Sequence, residues 1–151
     1  MRTLRNTLLA AMAAVALPLV AAAASADPQP AAAASPARNP MSVHVLDMQT
    51  GLPSAGVQVE LDRLGQGGRW ERIGSGVTNQ DGRIEALYPA AQRLEKGDYR
   101  VTFQTGAWYR QQRVDAFYPV VQLVLHVDGR LPHYHVPLLL SPFGYTTYRG
   151  S

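Results

Sequence analysis

The chain of 151 residues has no cysteine, 14 basic and 11 acidic residues, and 46% hydrophobic side chains. The lack of cysteine excludes a disulfide framework, thiolate nucleophiles and thiolate metal sites. Of the basic residues, Arg2, Arg5 and Arg38 precede residue 41, and beyond it 11 basic residues face 10 acidic ones. The excess positive charge is thus a poor argument for a nucleic-acid partner.

The first segment pairs Arg2 and Arg5 with an apolar run from about Leu8 to Ala24, then the small-residue site Ala24-Ser25-Ala26. Charge, short apolar core and small residues in that order predict a secretory signal peptide over residues 1–26. A membrane anchor is the competing reading, but the run is short and lacks a basic stop-transfer flank. Residues 27–40 are mostly Ala, Pro and Gln, too poor in large side chains to pack, and read as a disordered linker. Residues 41–151 remain, enough for one modest domain.

That domain reads as all-β. Ser42 to Asp47 alternates, with Val43 and Val45 on one face and Ser42, His44 and Leu46 on the other. Val57, Val59 and Leu61 alternate with Gln58, Glu60 and Asp62, and Tyr99, Val101 and Phe103 alternate with Arg100, Thr102 and Gln104. Such period-two patterning predicts half-buried antiparallel strands. Turn signals fall between them at Thr50–Pro53, Gly65–Gly68, Asn79–Gly82 and Lys96–Asp98. Only Ala107 to Val114 reads as helix. Val120–Val127 and Tyr134–Leu140 read as further strands, although Pro137 cannot donate to a ladder and belongs at an edge or with its nitrogen facing outward. Seven or eight short strands at this spacing predict a sandwich.

The late strand puts Tyr134, Val136, Leu138 and Leu140 in one row and His133, His135, Pro137 and Leu139 in the other. With the first row in the core, His135 faces outward beside Leu139, as His44 does beside Leu46. An outer sheet face carrying leucines asks for a cover, so a second subunit is expected over it, with a cleft between the two. Taken singly these residues are weak signals. A strand histidine is usually a surface residue, His133-x-His135 could ligate a metal, Arg83 merely follows an Asp-Gly turn, and Tyr148 could be a packing aromatic.

Together, however, the segments Ser42-Val-His-Val-Leu-Asp47 with Thr50-Gly51 and Pro53, Asp81-Gly82-Arg83, Gly97-Asp-Tyr-Arg100, Phe117-Tyr-Pro119 and His133 to Ser151, ending Tyr-Arg-Gly-Ser, resemble the 5-hydroxyisourate hydrolases. These are the enzymatic branch of the transthyretin-like family. The resemblance spans nearly all of 41–151 and implies a transthyretin-like sandwich of two four-stranded antiparallel sheets with one short helix. It further implies a homotetramer, a dimer of dimers, with active sites in the clefts between dimers and with no cofactor or metal. His44, Arg83, His135 and Ser151 carry over as catalytic residues, and His44, Arg83 and Tyr148 as substrate-binding ones. Arg149 belongs to the same closing tetrapeptide, and His133 is the other terminal histidine.

The implied reaction is hydrolysis of 5-hydroxyisourate at a ring amide, giving 2-oxo-4-hydroxy-4-carboxy-5-ureidoimidazoline on the way from urate to allantoin. The expected setting is the periplasm, with no nucleic-acid partner and no membrane association after leader cleavage. The rival is a non-catalytic carrier of a small ligand, as in the transthyretins, a branch that lacks the outward histidines and the Tyr-Arg-Gly-Ser ending. A structural sandwich module of the cell envelope is a third reading, and fold alone does not separate the three.

Overall fold

A computed structural model describes residues 38–150 apart from Ala91. The leader expected over 1–26, the linker up to residue 37 and the terminal Ser151 lie outside the described residues. The elements run β1 (Met41–Asp47), β2 (Gln58–Leu64), β3 (Trp70–Val77), β4 (Arg83–Ile84), β5 (Gly97–Phe103), α1 (Thr105–Gln111), β6 (Val121–Val127), β7 (Tyr134–Ser141) and β8 (Gly144–Thr147). They form two four-stranded sheets, ordered β4-β1-β7-β8 and β3-β2-β5-β6.

The inward rows are the alternating apolar residues. Val43 and Val45 of β1, Val59 and Leu61 of β2, Tyr99, Val101 and Phe103 of β5, and Val136, Leu138 and Leu140 of β7 are buried and form one cluster. Removing this surface from water is the main drive to fold, at about 25 cal/mol per Å² of apolar area.

One pairing departs from the antiparallel expectation. β1 and β7 run parallel along seven consecutive partners, from Met41↔Tyr134 to Asp47↔Leu140. A parallel pair needs a long crossover rather than a hairpin, and nearly the whole domain lies between these strands. Alternation along one strand records which face is buried and says nothing of its neighbour's direction.

Pro137 sits inside β7, an interior strand, yet breaks nothing. β8 pairs with β7 only from Leu138↔Thr147 to Ser141↔Gly144, and the chain rejoins β7 at the bridge His135↔Gly150. That register sets Tyr148 opposite Pro137, where the ladder is interrupted. The missing N–H of proline therefore falls in the gap.

The helix lies two to three residues earlier than the pattern suggests. The Thr105 hydroxyl donates to the Tyr118 carbonyl at 2.7 Å, and the Trp108 indole donates to the Ala55 carbonyl at 2.7 Å. These tertiary bonds fix a helix too short to be stable by propensity. Arg113, at φ 60°, turns the chain away after it.

Asn39 and Pro40 pack with the domain although the sequence assigns them to the linker. The Asn39 amide donates to the Tyr88 carbonyl at 2.9 Å, and its side-chain oxygen accepts from the Met41 and Tyr88 amides. The Pro40 carbonyl accepts from the Tyr134 amide at 2.8 Å.

Candidate active site

The outward face of the β4-β1-β7-β8 sheet gathers the ionisable residues. β1 contributes Ser42 and His44, two apart and thus on one face. β4 pairs antiparallel with β1 so that Arg83 lies directly beside His44. β7 pairs Ser42 with His135 and His44 with Pro137, which makes the two histidines diagonal neighbours. Their ring centroids are 6.4 Å apart.

Arg83 owes its place to a tight turn. The Asn79 side-chain oxygen accepts from the Asp81 and Arg83 amides at 3.0 and 2.9 Å. Gly82 adopts φ +68°, and a Cβ there would drive into the Val45 carbonyl oxygen. Only glycine both takes this φ cheaply and permits the approach. The Gly82 carbonyl then accepts from the Val45 amide at 2.8 Å, tying the turn to β1. The Asp-Gly-Arg segment is thus a device that sets a guanidinium beside an imidazole.

The electrostatics favour neutral imidazoles. His44 is held below its ordinary value of 6.5, first by burial and then by the Arg83 charge, against a weaker opposing pull from the Asp81 backbone. His135 is lowered likewise, first by burial, then by Arg83, with His44, His133 and Arg38 adding to the effect. Both shifts favour the neutral ring, the form able to accept a proton.

His133 is drawn in indirectly. Its Nε2 lies 3.1 Å from the Ser42 hydroxyl, which lies 2.8 Å from Nδ1 of His135. Its own Nδ1 lies 2.6 Å from the Asn39 carbonyl oxygen. Both nitrogens of His133 are thus engaged in hydrogen bonds. Among the described residues there is no group of three or more side chains arranged to hold a metal.

Tyr148 and Arg149 belong to the closing segment after β8. With His135 they border a groove of about 410 Å³ between β6 and the β7–β8 side, along with Val124, His126 and Asp128. His135 lines it, and His44 and Arg83 do not. Tyr148 is 60% exposed, and Gly150 lies against the His135 ring, where an added Cβ would come within 2.6 Å of Cδ2. Ser151 is outside the described residues.

Asn39 carries no signal of function in the sequence, and Ser42 carries little. Ser42 shares the outward row with His44, which is the one hint that was legible. Its contact with two histidines depends on the parallel β1–β7 register.

A family model described as the HIUase/Transthyretin family matches residues 41–150. The chain is 48% identical over 113 residues to a 5-hydroxyisourate hydrolase of Salmonella dublin, covering 75% of this chain and 82% of that protein. Among solved structures it is similar to the Klebsiella pneumoniae 5-hydroxyisourate hydrolase, with 39% identity and TM-score 0.63 over 74% of this chain and 98% of that one. It is also similar to sea bream transthyretin, solved in complex with thyroxine, with 35% identity and TM-score 0.69 over 74% and 94%. The fold thus fits both branches, and family membership follows without the branch: this chain belongs to the HIUase/Transthyretin family.

Proposed function

We propose that this protein is a 5-hydroxyisourate hydrolase acting through His44, His135 and Arg83. The observation that carries the reading is their convergence: two imidazoles with ring centroids 6.4 Å apart, and a guanidinium paired beside one of them, on one outward sheet face. The names of the relatives above point the same way. A carrier has no use for two bases held neutral next to a cation.

The chemistry follows from the groups. Water attacking a ring carbonyl must lose a proton as the new C–O bond forms, and a neutral imidazole accepts it. The carbonyl oxygen becomes negative in the same step, and the Arg83 guanidinium offers fixed positive charge and a planar donor fork to meet it. Collapse of the tetrahedral intermediate breaks the ring C–N bond, and the imidazolium just formed returns its proton to the departing nitrogen. The product is the carboxylate of the opened ring. His44 and His135 together orient and deprotonate the water, and the ring that takes its proton delivers it to the nitrogen. Tyr148 and Ser151 serve as hydrogen-bond donors to the heterocycle.

We further propose a homotetramer whose dimer contacts cover the outward face of the β4-β1-β7-β8 sheet. Leu46 and Leu139 are only half-buried there, and their apolar surface supports a cover. The leader supports export, and the periplasm is the compartment we assign to the mature chain.

The test is direct. Hydroxyisourate is generated fresh from urate, purified protein is added, and decay is followed against the spontaneous rate. Marked acceleration supports the reading; decay at the spontaneous rate by an intact oligomer sinks it and favours the carrier.

A further inference from the structure

The hydrogen bonds behind His135 form a chain whose direction can be deduced. It starts at the Asn39 carbonyl, which can only accept. Nδ1 of His133, 2.6 Å away, must therefore carry a proton. When the ring carries this one proton, its other nitrogen is a lone pair and Nε2 of His133 accepts the Ser42 hydroxyl proton across 3.1 Å; a second proton on His133 would reverse the chain. Having spent its only proton, Ser42 must accept from Nδ1 of His135 across 2.8 Å. The proton of neutral His135 thus sits on Nδ1, and its Nε2 holds the lone pair.

We propose that Ser42 and His133 are positioning residues that fix His135 in its Nδ1–H tautomer, leaving Nε2 as the basic atom. The inference rests on the hydrolase reading for its use but not for its geometry. Ser42 is 1% exposed, so water does not compete for its hydroxyl. The anchor is rigid as well, because three hydrogen bonds hold the Asn39 side chain to Met41 and Tyr88. Gly150 covers one edge of the His135 ring, which limits its rotation about χ2.

The arrangement orients a base as the aspartate of a serine-protease triad does, with one difference. A carboxylate would raise the pKa of the ring it holds, whereas a neutral serine–histidine chain does not. When Nε2 takes a proton from water, the Nδ1–H bond to Ser42 strengthens and polarises the hydroxyl toward His133. The hydrogen-bonded chain thus stabilises the transient charge on the His135 ring.

Long-range ¹H–¹⁵N spectra of the ¹⁵N-labelled protein at neutral pH read the tautomer without any substrate. A protonated Nδ1 and a bare Nε2 on His135 are expected, and the opposite pattern overturns the proposal. In Ser42→Ala the His135 signature should move toward the Nε2–H form. Its kcat should fall about 10- to 100-fold while KM stays within about twofold. Ser42→Thr, which keeps the hydroxyl, should restore most of the loss, and a kcat for Ser42→Ala within about twofold of wild type overturns the assignment. Should the wild-type protein not accelerate hydroxyisourate decay, the hydrolase reading fails while the spectrum still decides the tautomer. Should Ser42→Ala not fold, the wild-type spectrum decides alone.

Discussion

The outward faces of the two sheets solve opposite problems. On the β3-β2-β5-β6 sheet, charge is cancelled within the face. Asp62, 2% exposed, accepts from Arg72 at 2.5 Å and from Arg100 at 2.9 Å, while Arg72 also reaches Glu60 at 2.6 Å. Arg100 in addition lies 4.8 Å from the Trp70 ring centre. On the β4-β1-β7-β8 sheet, Arg83 is set against imidazoles, which its charge discourages from protonating. A structural face pairs its ions, and a reactive face leaves them a task. Two sheets of the same sandwich thus treat their outward charges in opposite ways.

The contrast can be broken first at its reactive end. His44→Ala and His135→Ala should each lower turnover by about 10²–10⁴ while the melting temperature stays near wild type, because neither ring is in the core. Near-normal turnover in both variants would remove the distinction between the faces. Arg83→Gln should cost about 10²–10³ in kcat.

The structural face makes the converse prediction. Asp62→Ala should reduce unfolding free energy by about 1–3 kcal/mol, read as a shifted urea midpoint, with turnover per folded protomer unchanged. Arg72 and Arg100 are partly exposed and regain water, which keeps the loss moderate. A fall in turnover comparable to that of the histidine variants would show that the faces are coupled.

The smallest effect is on pH. Both site histidines are lowered below 6.5, so the folded chain binds fewer protons than the unfolded chain just below that value. Their stability contribution is intact above pH 6.5 and erodes as pH falls through the folded values. The acid limb of kcat/KM should accordingly lie below 6.5, and in Arg83→Gln it should move upward because a depressing charge is gone. An acid limb above 6.5 in the wild-type enzyme contradicts the electrostatics of the face.

Much of this was legible beforehand, where the signal is local. Alternation around Val43–Val45, Val59–Leu61 and Val136–Leu140 identified buried rows, because a strand's two faces meet different solvents. β3, by contrast, has no buried residue along Trp70–Val77 and shows no apolar alternation, so no strand was read there. β4 has two residues and β8 four, too few for a period to show. The site was legible only as separate outward histidines plus a resemblance. Asn39 and Ser42, which organise His135, look like linker and strand filler.

Sequence alone determined the all-β class, the inward rows and the residue types able to do acid–base work, since each is a property of near neighbours along one chain. Tertiary structure decided which strands lie side by side and in what direction. The parallel β1–β7 register brings Ser42 between His133 and His135, residues separated from it by 91 and 93 positions. No local pattern encodes that meeting, because it is set by how two distant strands bury their apolar rows in one core.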